Sequence, residues 1–330
     1  MKLLLILVLA CQEDKPKVLV DAALEKESAR DYSGAIENCN QAIQLSPRYP
    51  LAHLVRGRAK GHLEEFESGI QDLTRALELW TPPDGKETTD ADRMVLAAAH
   101  RHRARLRRLK GDLEGASSDC EAGLKHQPED TRIYVERANV WLAREKPAHA
   151  LSDLSKAVDV SSNPGPSNRD HAWVYMHRAH VLYRLRSWKE SFEDFRTSLK
   201  WNPENPAVPY VWVWLLRARL GERMAATKNL SESLKGYVPR ESDVWYTKIA
   251  RFLVGEISGA DLLDAAKEAN LESTRRNLCG AHFFIGSERL LRGRTSQAIE
   301  SFSVCLEIGP RSLNPYQAAE AELQAMGVRK

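Results

Sequence analysis

Small residues recur along this chain in a fixed relation to one another and to an apolar residue between them. Ala35, Gly69, Ala116, Ala150, Ser191, Ala226 and Ala298 are each followed seven residues later by a second small residue or cysteine: Ala42, Ala76, Gly123, Ala157, Ser198, Ser233 and Cys305. Four residues after the first of each pair stands Cys39, Leu73, Cys120, Leu154, Phe195, Leu230 or Phe302. Twelve residues before it stands Ala23, Gly57, Ala104, Ala138, Ala179 or Gly286, and Trp214 alone breaks the rule. Spacings of three, four and seven lie on one stripe of a helix. The pattern therefore predicts pairs of antiparallel helices that touch through their small residues, with the apolar residue plugging the gap beside them.

Seven such pairs begin near Pro16, Pro50, Ala97, Thr131, Ala172, Ala207 and Cys279, and the first two starts are 34 residues apart. Pro47, Pro128 and Pro310 close their units, because proline cannot continue a helix. Two intervals carry insertions, Trp80 to Asp92 and Ser161 to His171, rich in proline, glycine and asparagine. Both read as loops between units, near 80–92 and 161–171. Residues 241–278 are about one unit long without the signature. Val244 to Val254 reads there as an apolar helix, and Ser258 as the start of a second. Pro315 to Met326 predicts a final helix covering the last apolar face. One pair cannot bury its own apolar face, so stability must come from stacking.

This register resembles the 34-residue tetratricopeptide unit, with small residues at unit positions 8, 20 and 27, an apolar residue at 24 and proline at 32. The resemblance implies an all-α fold, a right-handed superhelical solenoid of about seven helix pairs. A degenerate pair at 241–278 and a C-terminal capping helix complete it, residues 16–330 forming a single solenoid. It also implies a non-catalytic scaffold for protein–protein interaction.

The N-terminus opens Met-Lys and runs through the apolar stretch Leu3 to Ala10 to Cys11. Val8-Leu9-Ala10-Cys11 resembles the lipobox of bacterial lipoproteins, in which the signal, here residues 1–11, is processed and the cysteine becomes the lipidated N-terminus. Residues 12–15 would be the tether. The apolar core is short, and the alternative to a lipoprotein signal is an apolar tail on a cytosolic protein. Three stretches of the last third are distinctive: Tyr210-Val-Trp-Val-Trp-Leu-Leu, Phe252-Leu-Val-Gly-Glu-Ile, and Leu278-Cys-Gly-Ala-His-Phe-Phe-Ile-Gly286. Together they resemble the C-terminal half of NlpI-like tetratricopeptide lipoproteins. That resemblance implies an envelope adaptor anchored in the membrane and facing the periplasm, able to form a homodimer, with peptidoglycan hydrolases and an envelope protease as partners. The competing expectation is a soluble cytosolic peptide receptor or co-chaperone.

Composition narrows this picture. Lysine and arginine number 48 against 45 acids, a net charge of +3. A dedicated nucleic-acid binder would show a clear basic excess, so none is expected as partner, and electrostatic function must come from local clustering. The first helix of each unit would line the concave face through unit positions 2, 5, 9, 12 and 13. Arg101, Arg105 and Arg108, four and three apart, share one helix face. Arg58, Arg132, Asn139 and His180 fall at similar positions. Arginine grips carboxylates through paired N–H donors, so the set resembles the carboxylate clamps of peptide-binding tetratricopeptide domains, without their lysine. Partners with acidic or C-terminal carboxylate groups are expected. A solvated basic helix face, paired with acids on adjacent helices, is the plainer alternative. Trp173, Tyr183 and Phe283 are candidate aromatic anchors, or inter-unit packing. Trp212 and Trp214 read as core.

No nucleophile elbow, phosphate-cradling loop or zinc-binding H-E-x-x-H occurs. No enzyme activity, cofactor or metal is therefore expected. Cys39, Cys120, Cys279 and Cys305 read as small buried apolar residues. Cys279 and Cys305, at opposite ends of one unit, could approach in an oxidising compartment, but spacing does not fix their geometry.

Overall fold

The computed structural model describes residues 15–80, 88–161, 168–201, 206–240, 243–268 and 270–328. Seventeen helices and no strand occur among the described residues. The chain divides into two compact units, residues 1–160 and 161–330.

The N-terminal unit consists of α1 (Lys15–Ser28), α2 (Tyr32–Leu45), α3 (Pro50–His62), α4 (Phe66–Leu79), α5 (Asp90–Lys110), α6 (Leu113–His126), α7 (Thr131–Ala143) and α8 (Pro147–Ser161), whose last residue crosses the division. Consecutive helices pack pairwise, and the small-residue rule explains how closely. A Cβ on Gly57 would stand 2.9 Å from the Gly69 carbonyl and from Leu73, so α3 and α4 meet backbone against side chain. The cores are thin and alanine-rich: Ala23, Ala35, Cys39 and Ala42 are fully buried between α1 and α2.

Two starts differ from expectation. α5 begins at Asp90 rather than Ala97, because Thr89 and Asp92 form a reciprocal capping box, each side chain accepting from the other's backbone N–H. Trp80 Nε1 donates to Asp92 Oδ1 at 3.1 Å, pinning the two ends of the first insertion together. Likewise the tether's last residue, Lys15, already belongs to α1. Cys11 and the signal segment lie outside the described residues.

The C-terminal unit contains α9 (Asn168–Arg184), α10 (Trp188–Lys200), α11 (Ala207–Arg219), α12 (Arg223–Leu234), α13 (Val244–Val254), α14 (Gly259–Ala265), α15 (Leu271–Leu291), α16 (Thr295–Ile308) and α17 (Asn314–Ala325). The degenerate pair is α13 and α14, the latter opened by a Ser258–Asp261 capping box. Helix α15 starts at Leu271, capped by Asn270, so residues expected in the degenerate pair extend the next unit instead. One continuous aromatic core joins Tyr183, Phe195, Trp212, Trp214, Phe283, Phe284 and Phe302. Trp214, the one large residue at unit position 8, is buried, and its Nε1 donates to Thr227 at 3.0 Å. The last helix packs on α16 and α15 and also returns to α9.

A further regularity governs the turns inside the pairs. Unit position 15 adopts the left-handed conformation at Arg30, Glu64, Gly111, Glu145, Arg186, Gly221 and Gly293. Gly255 does the same between α13 and α14. The degenerate pair thus keeps the turn geometry of the others although lysines, Lys248 and Lys267, stand at its positions 8 and 27.

Candidate functional site

Helices α1, α3, α5 and α7 are the first helices of their pairs, and unit positions 9 and 12 bring their long side chains to one face. Arg58 on α3 grips Glu27 on α1 through Nη2 at 2.6 Å and Nε at 3.2 Å. Arg108 Nε on α5 donates to Glu136 on α7 at 2.6 Å. Both carboxylates are buried, so these two pairs tie first helices of successive units together. Arg132 Nε lies 3.4 Å from Asp130, the cap of its own helix, and its side chain is half exposed.

Between the two pairs stand Arg101 and Arg105, differently placed. Arg101 is half-buried; its Nη2 lies 3.3 Å from His102 Nε2, and its buried Nε has no hydrogen-bond partner among the described residues. Burial is the main cause that lowers the Arg101 pKa to about 10; Arg132 and Arg58 push the same way, and Asp130 and Glu136 oppose them. His102 is held well below the usual histidine range, first by burial, then by Arg101, Arg58 and Arg105. His62, stacked on Tyr32, is lowered by burial and by Arg105 and Arg58. Both imidazoles are therefore neutral at pH 7, and His102 can accept from Arg101. Arg105 is exposed and has no ion-pair partner among the described residues. Asn139 is half-buried, with no side-chain hydrogen bond among them. Five arginines meet three carboxylates (Glu27, Asp130, Glu136), leaving two positive charges in excess. Chemically, this face offers guanidinium donors to an incoming carboxylate around Arg101 and Arg105.

The remaining predicted residues lie in the C-terminal unit, where the picture changes. Tyr183 is buried, and its hydroxyl donates to Glu322 of α17 at 2.8 Å. Arg219 lies 2.6 Å and Arg186 3.5 Å from the same carboxylate, itself 1 % exposed. His180 packs edge-on against Phe195 and Trp212, and burial drops its pKa to about 3. Phe283 is fully buried in the aromatic core. Trp173 is half-buried against His177, at 4.5 Å between ring centres. Tyr183, His180 and Phe283 are thus packing groups rather than presented anchors. For Tyr183 the reason is the return of α17 onto α9, a contact 139 residues apart; His180 and Phe283 are taken up by the aromatic core around Trp212.

A second set of charges went unnoticed in the sequence. In four pairs an arginine at unit position 7 clamps an aspartate sixteen residues later: Arg56–Asp72, Arg103–Asp119, Arg137–Asp153 and Arg178–Asp194. Each aspartate is at most 5 % exposed. Position 11 adds Lys60 at 2.8 Å, Arg107 at 2.8 Å and Trp141 at 3.0 Å to the first three. Burial pulls the Asp72 and Asp119 carboxyls upward, but hydrogen bonds outweigh it and hold both below the usual range, from Arg56 and Lys60 at Asp72 and from His100 and Arg103 at Asp119. Asp194, whose cation is Arg178 with no basic residue at position 11, is raised by burial. The signal was available as an Arg/Asp spacing of sixteen repeated in register.

Sequence comparison places these features among known repeat proteins. The chain is 21% identical over 170 residues to human tetratricopeptide repeat protein 16, which covers 52% of the chain and 19% of that protein. It is 31% identical over 122 residues to mouse dynein axonemal assembly factor 4, covering 37% and 28% respectively. Among solved structures, that of Pseudomonas aeruginosa pilF superposes with a TM-score of 0.53 at 15% identity, over 68% of this chain and 93% of that one. The fold is that of the tetratricopeptide repeat. A tetratricopeptide repeat protein from Parabacteroides merdae, with a TM-score of 0.50 at 13% identity, covers 94% of this chain and 99% of its own. The chain spans less than a third of the length of either curated relative. No family model matches it. Tetratricopeptide repeat proteins typically act as protein-interaction scaffolds.

Proposed function

We propose that this tetratricopeptide repeat protein is a non-catalytic adaptor whose N-terminal unit captures protein segments bearing carboxylates. The observation that carries the reading is the pair Arg101 and Arg105. Among the described residues, one guanidinium is half-buried with an unpartnered Nε, the other is exposed without a counter-ion, and both sit in a field of excess positive charge. A carboxylate seated there gains charge-assisted hydrogen bonds that water now supplies only in part. In the C-terminal unit Tyr183 and Arg219 on first helices are instead taken up by Glu322 of α17.

The adaptor is membrane-anchored through Cys11 and faces the periplasm. This part rests on the lipobox residues Val8 to Cys11 and on the NlpI-like stretches of the last third. Envelope proteins, including peptidoglycan hydrolases and a protease, are the partners the resemblance suggests. Among the described residues no helix is long and apolar enough to cross a membrane. The test is a crosslinked pull-down with C-terminally tagged wild type beside the Arg101→Gln/Arg105→Glu variant, with fatty-acid labelling of the same samples. Envelope proteins recovered by wild type and lost by the variant, together with label that disappears in Cys11→Ser, support the proposal. Identical recoveries from the two proteins reject the site, and an unlabelled wild type rejects the anchor.

A second reading has one specific observation behind it. Over 95 residues the chain is 32% identical to chicken DnaJ homolog subfamily C member 3, matching 29% of this chain and 17% of that protein. A soluble co-chaperone would retain residues 1–11, which an intact-mass measurement reads directly.

A further inference from the structure

The last helix pair holds two thiols face to face. Cys279 on α15 and Cys305 on α16 bring their sulfurs to 2.9 Å, and both side chains are fully buried. Unbonded sulfurs ordinarily stand farther apart, and a disulfide needs only a further closure to about 2.05 Å. The surroundings are shaped to allow it. Gly309, just past the end of α16, leaves the space above Cys279 open, since a Cβ there would press on the Cys279 sulfur and lie 2.9 Å from the Cys305 carbonyl. Pro315, at the start of α17, closes the other side, its carbonyl 3.8 Å from Cys305 Sγ. Cys39 and Cys120 are just as buried but have no sulfur neighbour among the described residues. The pairing is thus particular to this unit, not a general habit of buried cysteine in the repeat.

We infer that Cys279 and Cys305 form a disulfide that staples α15 to α16 beneath the seat of α17. The pair is sealed in the folded chain, where the contact with Cys279 and burial both keep the Cys305 thiol protonated. Exchange requires a thiolate and access, so the bond is made while the two helices come together. The Cys279 thiolate attacks a disulfide oxidant, such as a thiol oxidoreductase or glutathione disulfide, giving a mixed disulfide and releasing one thiol. The Cys305 thiolate then attacks the Cys279 sulfur and expels the second thiol. The protein loses two protons and two electrons, which reduce the oxidant to two thiols.

The experiment uses the full chain, unfolded under reduction and refolded in a glutathione and glutathione disulfide buffer. It is then quenched with acid, denatured without reductant, alkylated and peptide-mapped. The staple predicts a single cross-linked peptide joining Cys279 and Cys305, two hydrogens lighter than the reduced pair, with Cys39 and Cys120 alkylated. It also predicts that reductant lowers the melting midpoint of wild type and leaves that of the Cys279→Ala/Cys305→Ala variant unmoved. Alkylation of Cys279 and Cys305 to the extent seen for Cys39 and Cys120 overturns the inference, as does a cross-link between any other pair.

Discussion

Replacing Asp119 by asparagine tests the charge ladder where it is densest. The side chain keeps its shape but loses its charge and one acceptor oxygen, now an NH2 donor facing the three donors that shared the carboxylate. Arg103 Nη2 lies 2.7 Å away, Arg107 Nη1 2.8 Å and His100 Nδ1 3.0 Å. The two guanidiniums are only 13% and 26% exposed, so water cannot fully replace the carboxylate. Removing one partner of a buried pair costs about 3–5 kcal/mol, and the residual exposure of Arg107 places this case at the lower end, about 3 kcal/mol. Asp194→Asn is the internal control. It releases one arginine, and it also relieves a carboxyl whose pKa burial has raised. That loss should be about 1 kcal/mol, the size of an ordinary net hydrogen bond. The pH dependence separates them further. The folded pKa of Asp119 is depressed, so its contribution is complete above the unfolded value near 3.8 and is lost as pH falls through the folded value. For Asp194, raised in the folded state, stability falls as pH rises from about the unfolded value through the folded one. Urea unfolding at pH 7 and pH 3, with hydrogen exchange to localise the weakened helices, reads both effects. A loss for Asp119→Asn no larger than that for Asp194→Asn at pH 7 would refute the reasoning.

Other consequences are simpler to state. Glu64 and Glu145 hold positive φ of 62° and 58° at exposed turn positions. Glycine there should raise stability by about 0.5–1 kcal/mol each, seen as a higher urea midpoint. Gly286→Ala should destabilise the C-terminal unit by about 1–3 kcal/mol, because the new Cβ would meet the Phe302 ring at 2.7 Å. Thermal melting measures it. Glu322→Gln should loosen α17, since Arg219 would stay buried without its counter-charge, at a cost of about 3 kcal/mol. Faster amide exchange in both α17 and α9 is the expected reading.

The repeat was legible because its requirements are steric. Residues at unit positions 8, 20 and 27 must be small wherever two helices touch, and Gly57 against Gly69 shows the contact directly. Boundaries were less legible. The early start of α5 depends on the Thr89–Asp92 capping box, a local signal inside a stretch whose prolines and glycine favoured a loop. The left-handed residue at position 15 is plain where it is glycine and hidden where it is Arg30, Glu64, Glu145 or Arg186. The aspartates of the ladder read as solvated carboxylates one at a time, and only their common spacing from an arginine gives them away. Tyr183 could not have been placed, because its partner Glu322 arrives with α17 from the far end of the chain, and that long return leaves no periodic trace.

The central claim is that Arg101 and Arg105 form a carboxylate receptor, and a direct titration decides it. An acidic peptide from a captured partner is titrated against wild type and against Arg101→Gln/Arg105→Glu, with circular dichroism to confirm equal folding. The account predicts binding by wild type that weakens with salt and falls at least about tenfold in the variant, or about 1.4 kcal/mol. Equal affinity of the two proteins for that peptide would contradict it.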